Sequence, residues 1–372
     1  MRTRTMHMEE QPQQAELRLA GRGFGPAEAE QVASLLEQAA PGREPALLDL
    51  SCNNIGSEGV AALATALRRS GLQRLRELSL RDCVACGTWE APSSFDRPLD
   101  SSALEQLLDA VREQASGCPL HLDLSFNKLG PEGAHALARA LSHFGSDCAN
   151  ISLCLGYNGL GSRGCARILH SLRHADLGNA CQPVESLAEL DLRNNDIRET
   201  GAPELVHSLS GAAVRCLKLK SNHLGRDGIQ HIGAAVVVPC CDGGLPLIRD
   251  LEVAGNSLGA EGVAALAKLL AKTSNCIERL DVHRNNCSEK GAEALAELLR
   301  SSPTLHSLRA SNNNIREGSH ALASAIAGAA QEKRTALKEL DVQRNPLADA
   351  EELASACEEA GIKHWISSDG PI

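Results

Sequence analysis

One short block recurs along the chain and restricts its fold more than any other feature. Leu48-Asp-Leu50-Ser-Cys-Asn53-Asn-Ile55 returns as Leu122/Leu124/Asn127/Leu129, Leu153/Leu155/Asn158/Leu160 and Leu190/Leu192/Asn195/Ile197. Later copies are Leu217/Leu219/Asn222/Leu224, Leu251/Val253/Asn256/Leu258, Leu280/Val282/Asn285/Cys287, Leu308/Ala310/Asn313/Ile315 and Leu340/Val342/Asn345/Leu347. Two degenerate copies, Leu17/Leu19 with Arg22 in the Asn place and Leu78/Leu80 with Cys83 there, bring the number to eleven, within residues 15–361. Self-similarity at this period means a stack of like units, each unable to bury its apolar face alone.

Each block alternates apolar and polar residues with period two, as a short strand requires. A helical period follows it: Gly59/Leu63/Leu67, Gly133/Leu137/Leu141, Gly201/Leu205/Leu209, Gly262/Leu266/Leu270 and their equivalents keep the spacing i, i+4, i+8. Small residues beside them, such as Ala134 and Ala138, complete one helix face. The composition agrees, since aromatic residues make up 2% of the 372 residues and the 43% apolar content is mostly aliphatic. A core of many small contacts suits regular stacking.

The pattern LxLxxNxL followed by GxxxLxxxL resembles the ribonuclease-inhibitor type of leucine-rich repeat over nearly the whole chain. The resemblance implies an α/β solenoid, a horseshoe with parallel strands on its concave face and helices on its convex face. Geometry gives the same curvature: parallel strands stack about 4.8 Å apart whereas packed helices need about 8–10 Å. The Asn has a physical role, because its amide both donates and accepts and can satisfy loop backbone groups that stacking buries. Cys83 offers a weak substitute.

The Asn-equivalent positions lie 27 to 34 residues apart, with two intervals of 44 and 37 that mark insertions. Insertions in a solenoid leave as surface loops, expected here near 84–101, 174–186 and 238–246. Residues 1–14 read as a polar tail and 362–372 as a cap over the last coil. The start carries no apolar leader, and no run of about 18 apolar residues occurs. Together with 14 scattered cysteines this predicts a soluble cytoplasmic protein with reduced thiols, and the resemblance extends the setting to nuclear or ciliary assemblies.

Several chemistries lack their residues. A net charge of −10, without clustered Lys and Arg, argues against nucleic acid as a partner. No GxxxxGK[ST] phosphate loop is present, so the nucleotide-hydrolysing module that accompanies such repeats in innate-immune receptors is not expected. Cys83 and Cys86 have the spacing of half a zinc site, with Cys240-Cys241 as a conceivable other half, but four repeats separate them. His170 and His174 lie one turn apart on an outer helix face with Cys165 pointing into the core. No metal, cofactor, small-molecule substrate or catalytic residue is therefore expected.

The inner face follows from alternation. Its central positions are Asp49, Ser79, Asp123, Cys154, Asp191, Lys218, Glu252, Asp281, Arg309 and Asp341, six acids and two bases in ten. This acidic stripe would attract a protein carrying a basic segment, unless the acids pair with neighbouring Arg81, Arg193, Lys220 and His283. Trp89 and Phe95 in the large insertion, with Phe126 and Tyr157 in the next two coils, are expected on one rim, as a partner anchor or a local packing cluster. The expected function is a non-enzymatic scaffold or adaptor, a subunit of a larger assembly, binding through its concave face and the rim of repeats 3–5. Two alternatives come from the resemblance: regulation of a small GTPase, as by the Ran GTPase-activating proteins, and inhibition of a ribonuclease.

Overall fold

The computed structural model describes residues 16–39, 44–70, 74–83, 99–114, 120–143, 151–172, 187–210, 214–238, 248–272, 277–332, 334 and 336–367. The chain divides into two compact units, residues 1–127 and 128–372. In the first, strands β1 (Glu16–Arg18), β2 (Leu47–Asp49), β3 (Glu77–Ser79) and β4 (Leu120–Asp123) pair in chain order. All pairs are parallel, and Leu17, Leu48, Leu78 and Leu122 stand in one register row. Helices α1 (Pro26–Glu37), α2 (Gly56–Ser70) and α3 (Ser101–Gln114) form the second layer.

The second unit repeats the arrangement. It opens with α4 (Gly130–Leu141), β5 (Ile151–Cys154), α5 (Gly161–Ser171) and β6 (Leu187–Asp191). A 3₁₀ turn at Glu199–Gly201 leads into α6 (Ala202–Leu209), followed by β7 (Val214–Lys218), α7 (Gly225–Val236), β8 (Asp250–Glu252) and α8 (Gly259–Lys272). Then come β9 (Arg279–Asp281), α9 (Ser288–Ser301), β10 (Ser307–Arg309), α10 (Gly318–Gln331), β11 (Glu339–Asp341), α11 (Ala350–Glu359) and β12 (Lys363–Trp365). Strands β5 to β12 are again parallel and in chain order. The strand-and-helix solenoid expected from the repeat is thus the fold of both units. At the C-terminal end, β12 extends the sheet by a twelfth strand in the repeat's own register, with His364 in the row of the leucines.

Burial follows the repeat. Leu48, Leu50, Ile55, Leu63 and Leu67 are sealed from solvent, as are their equivalents along the chain. The helix glycines are contact points: a Cβ on Gly59 would stand 2.7 Å from Ala29 Cβ, and one on Gly318 2.5 Å from Ala292 Cβ. Glycine is tolerated at these helix positions because neighbouring helices meet there.

The asparagines form a ladder through the stack. Asn285 Nδ2 donates to Val253 O of the preceding coil at 3.0 Å and to Val282 O of its own at 2.9 Å. Its Oδ1 accepts from Asn256 N at 2.8 Å. The same link joins Asn158 to Asn195, Asn195 to Asn222, Asn222 to Asn256 and Asn285 to Asn313. Asn313 N in turn donates to Asn345 Oδ1. At the degenerate coil, Cys83 Sγ reaches Leu50 O at 3.2 Å and so keeps the donor side of the link. The Asn53 backbone amide meets the same sulfur, a weaker acceptor than an amide oxygen.

Around most of these Asn residues the backbone enters the left-handed region at alternate places, as at Ser221, His223 and Gly225 with φ of 52°, 56° and 60°. The last of these places is usually glycine. In the coil of β6 it is Arg198, with φ 62° and ψ 162°, a region adopted essentially by glycine alone, so this residue holds strain of about 1–3 kcal/mol.

Candidate functional site: the strand face

Register places the expected face directly. Arg18, Asp49, Ser79 and Asp123 share one row in the first unit. Cys154, Asp191, Lys218, Glu252, Asp281, Arg309, Asp341 and Trp365 share one in the second. Arg18 and Trp365 were not read from the sequence as members of these rows. Trp365 is half exposed and its ring lies beneath Lys363 Nζ, 4.6 Å from the centroid.

The acids of the row have partners of their own. Asp49 Oδ1 accepts from Ser51 N at 3.0 Å and from its hydroxyl at 2.6 Å, and Asp123 Oδ1 does the same with Ser125 at 2.8 and 2.5 Å. Asp191 accepts from Arg193 N at 3.0 Å, Asp281 from His283 N at 3.1 Å and Asp341 from Gln343 N at 3.1 Å. Five of the six acids therefore close an Asx turn at the strand end, a local role that alternation alone does not reveal. The sequence signal was the polar residue two places on in each copy: Ser51, Ser125, Arg193, His283 and Gln343.

Depth separates these residues further. Asp191 and Asp281 are 1% and 4% exposed, so neither presents a carboxylate to a partner. Asp191 is held by the Arg193 guanidinium. Asp281 takes His283 Nδ1 at 2.7 Å and lies 3.3 Å from Lys220 Nζ, which also reaches Glu252 at 3.0 Å. Burial alone would push the Asp281 carboxyl up, but His283 and Lys220 outweigh it and hold it below the usual range. Lys218 pairs with Glu189 at 2.7 Å and Arg279 with Asp250 at 3.2 Å. On the second unit the face thus carries matched charges, and the more accessible of the six acids are Asp49 and Asp123 in the first unit and Glu252 and Asp341 in the second.

Cys154, Glu189 and Asp191 bring three ligand-type atoms within 4.8 Å of one another. Lys218 and Arg193 already neutralise the two carboxylates, so the cluster has its counter-charges built in. Among the described residues seven cysteines are free thiols, and only Cys52 of these is exposed. Burial pushes the thiols of Cys165, Cys216 and Cys287 up to about 12, which keeps them protonated and unreactive.

Of the expected aromatic anchor, Trp89 and Phe95 lie outside the described residues, as do all three expected insertion cores, His174, Cys86 and the Cys240-Cys241 pair. In the first unit Phe126 is half-buried beneath Arg81, whose guanidinium carbon is 4.5 Å from the ring centroid. In the second, Tyr157 is 42% exposed at the end of β5. His170 is exposed on α5 and Cys165 fully buried, as the helical register implied. No helix among the described residues is long and apolar enough to cross a membrane.

The profile of the Leucine Rich repeat family matches residues 47–64, 120–138 and 244–267. NACHT, LRR and PYD domains-containing protein 12 of Mus musculus is 27% identical over 72% of this chain and 22% of its own length. The Ribonuclease inhibitor of Mus musculus is 28% identical over 76% of the chain and 55% of the inhibitor. Tonsoku-like protein of Bos taurus is 28% identical over 74% of the chain and 18% of its length. The chain therefore spans about half or less of the curated relatives it matches. The crystal structure of the leucine-rich repeat-containing protein LegL7 from Legionella pneumophila overlaps with a TM-score of 0.46 at 20% identity, covering 77% of this chain and 89% of that one. The chain has the leucine-rich-repeat solenoid fold, and its sequence is similar to those of ribonuclease inhibitors and NACHT, LRR and PYD domains-containing proteins.

Proposed function

We propose that the chain is a protein-binding module that acts as a scaffold or adaptor and docks its partner on the strand face. The observation that carries this reading is the row of one strand-face residue per coil within each unit, its acids held by Asx turns or ion pairs before any partner arrives. A charged surface fixed in advance loses little freedom on docking and favours a partner of complementary pattern. Asp49 and Asp123 in the first unit and Glu252 and Asp341 in the second are the acids open to a basic segment, and Tyr157 is the exposed aromatic anchor of the second. Asp191 and Asp281 support the surface from beneath. The test is quantitative affinity capture with the full chain beside Asp341→Lys and Tyr157→Ala variants of unchanged melting temperature. Loss of the same retained proteins from both variants is expected; an identical retained set would overturn the reading.

The similarity to ribonuclease inhibitors favours a second reading, in which the partner is a basic ribonuclease held by the same acidic surface. Titrating the chain into a ribonuclease activity assay decides it, with stoichiometric loss of activity as the supporting result.

A further inference from the structure

We propose that the outer face of α4, α5 and α6 is a second docking surface, opposite in charge to the first, that takes an acidic polypeptide segment. A groove of about 470 Å³ runs along these helices, and its cationic lining is His135, Arg139, Arg167 and His170, with no acid among the described residues that line it. Helix α5, Gly-Ser-Arg-Gly-Cys-Ala-Arg-Ile-Leu-His-Ser, contains no Asp or Glu at all. Helices α4 and α6 each carry one acid, Glu132 and Glu204, both in the first turn and away from the groove. Glu204 is moreover engaged by Ser162 Oγ at 2.7 Å and by Arg163 at 3.4 Å. In a chain of net charge −10, such a face is a local reversal of sign.

The repeat aligns these cations. Arg139, His170 and His207 each stand six residues beyond the helix glycine of their coil, Gly133, Gly164 and Gly201, so they form a row across three neighbouring helices. All three are exposed, as are His135 and Arg167. The rings of His170 and His207 are stacked with centroids 6.1 Å apart. Arg167, His135 and His170 have no hydrogen-bond or ion-pair partner among the described residues.

The spacing selects the occupant. Packed helices lie about 8–10 Å apart, and across one such step the His170 and His207 rings lean together to 6.1 Å. An extended chain advances about 7 Å in two residues and about 10 Å in three, so a segment with acids two or three places apart meets the row. A single phosphate is too small to span it. A nucleic-acid backbone would meet the repulsion of the remaining negative surface, and the described lining of the groove holds no Phe, Tyr or Trp.

The probe is a short fluorescein-labelled poly-glutamate peptide, read by anisotropy against the full chain at low and raised salt, with poly-lysine and a short DNA duplex as competitors. Saturable binding that weakens with salt is expected. Arg167→Glu combined with His170→Glu, on an exposed helix face where Glu is well tolerated, should weaken it by about tenfold or more at unchanged melting temperature. Asp341→Lys on the strand face should leave it unaltered, so the two docking surfaces fail or hold separately. Absence of poly-glutamate binding, retention of it in the double variant, or stronger capture of the DNA duplex through the same residues would overturn the proposal.

Discussion

A single side chain can decide whether a coil is fully linked to its neighbours, and Cys83 shows the cost of the wrong one. Its Sγ donates toward Leu50 O at 3.2 Å, whereas Asn127 in the next coil donates to Leu80 O at 2.7 Å and accepts from Cys83 N at 2.9 Å. Cys83→Asn replaces the sulfur, a weak acceptor for the Asn53 amide, by a carbonyl oxygen in a site that already has the repeat's geometry. We expect it to raise stability by about 1 kcal/mol in urea denaturation. A fall in stability would mean that the site has adapted its packing to sulfur. Asp281 makes a second residue-scale case. Its carboxyl is held below the usual range despite burial, because His283 and Lys220 stabilise its ionised form. The sign follows: this contribution is present above the unfolded carboxylate value of about 4 and is lost as pH falls through the lower, folded one. Asp281→Asn should cost about 1–3 kcal/mol at neutral pH and flatten the decline of stability on acidification. An acid limb of unchanged slope would remove Asp281 from the cause.

At the scale of the element, α10 holds both a constrained and an unconstrained glycine. A Cβ on Gly318 meets Ala292 Cβ at 2.5 Å and the Glu289 backbone at 3.2 Å, while one on Gly328 meets nothing within 4 Å. Helix propensity favours alanine over glycine by about 1 kcal/mol. Gly328→Ala should therefore stabilise by up to that amount, whereas Gly318→Ala should destabilise by about 1–3 kcal/mol because the helices must separate. Equal effects in thermal denaturation would show that the contact at Gly318 relaxes freely. The same comparison explains what the sequence reveals of these elements. The helix glycines, the strand leucines and the ladder asparagines are legible because each sits at a fixed place in a repeated pattern. The acids of the strand row read as uniformly exposed, since alternation says only which side of the strand a residue occupies. Neighbouring strands about 4.8 Å apart then shield Asp191 and Asp281, and their Asx turns draw them inward. Strand β12 went unread because His364 stands where the other copies have an apolar residue.

For the whole molecule, the arrangement makes stability a sum of coils and the interfaces between adjacent coils, with long-range order carried only by neighbours. The asparagine ladder makes this testable in the second unit. Asn285 donates to Val253 O, Val282 O and His283 O, and accepts from Asn256 N and Leu258 N, so it binds its own coil and the preceding one. Asn285→Ala leaves these buried groups without partners, at about 1–3 kcal/mol each for those that water cannot reach. If coupling is confined to neighbours, amide exchange followed by mass spectrometry should show faster exchange in β8, β9 and their flanking turns. Protection at β5 and β6, whose asparagine links pass through Asn158 and Asn195, should stay within error of the parent chain. Uniform loss of protection from β5 to β12 would instead show that the unit opens as one cooperative body, and that a partner held at one group of coils is felt by all of them.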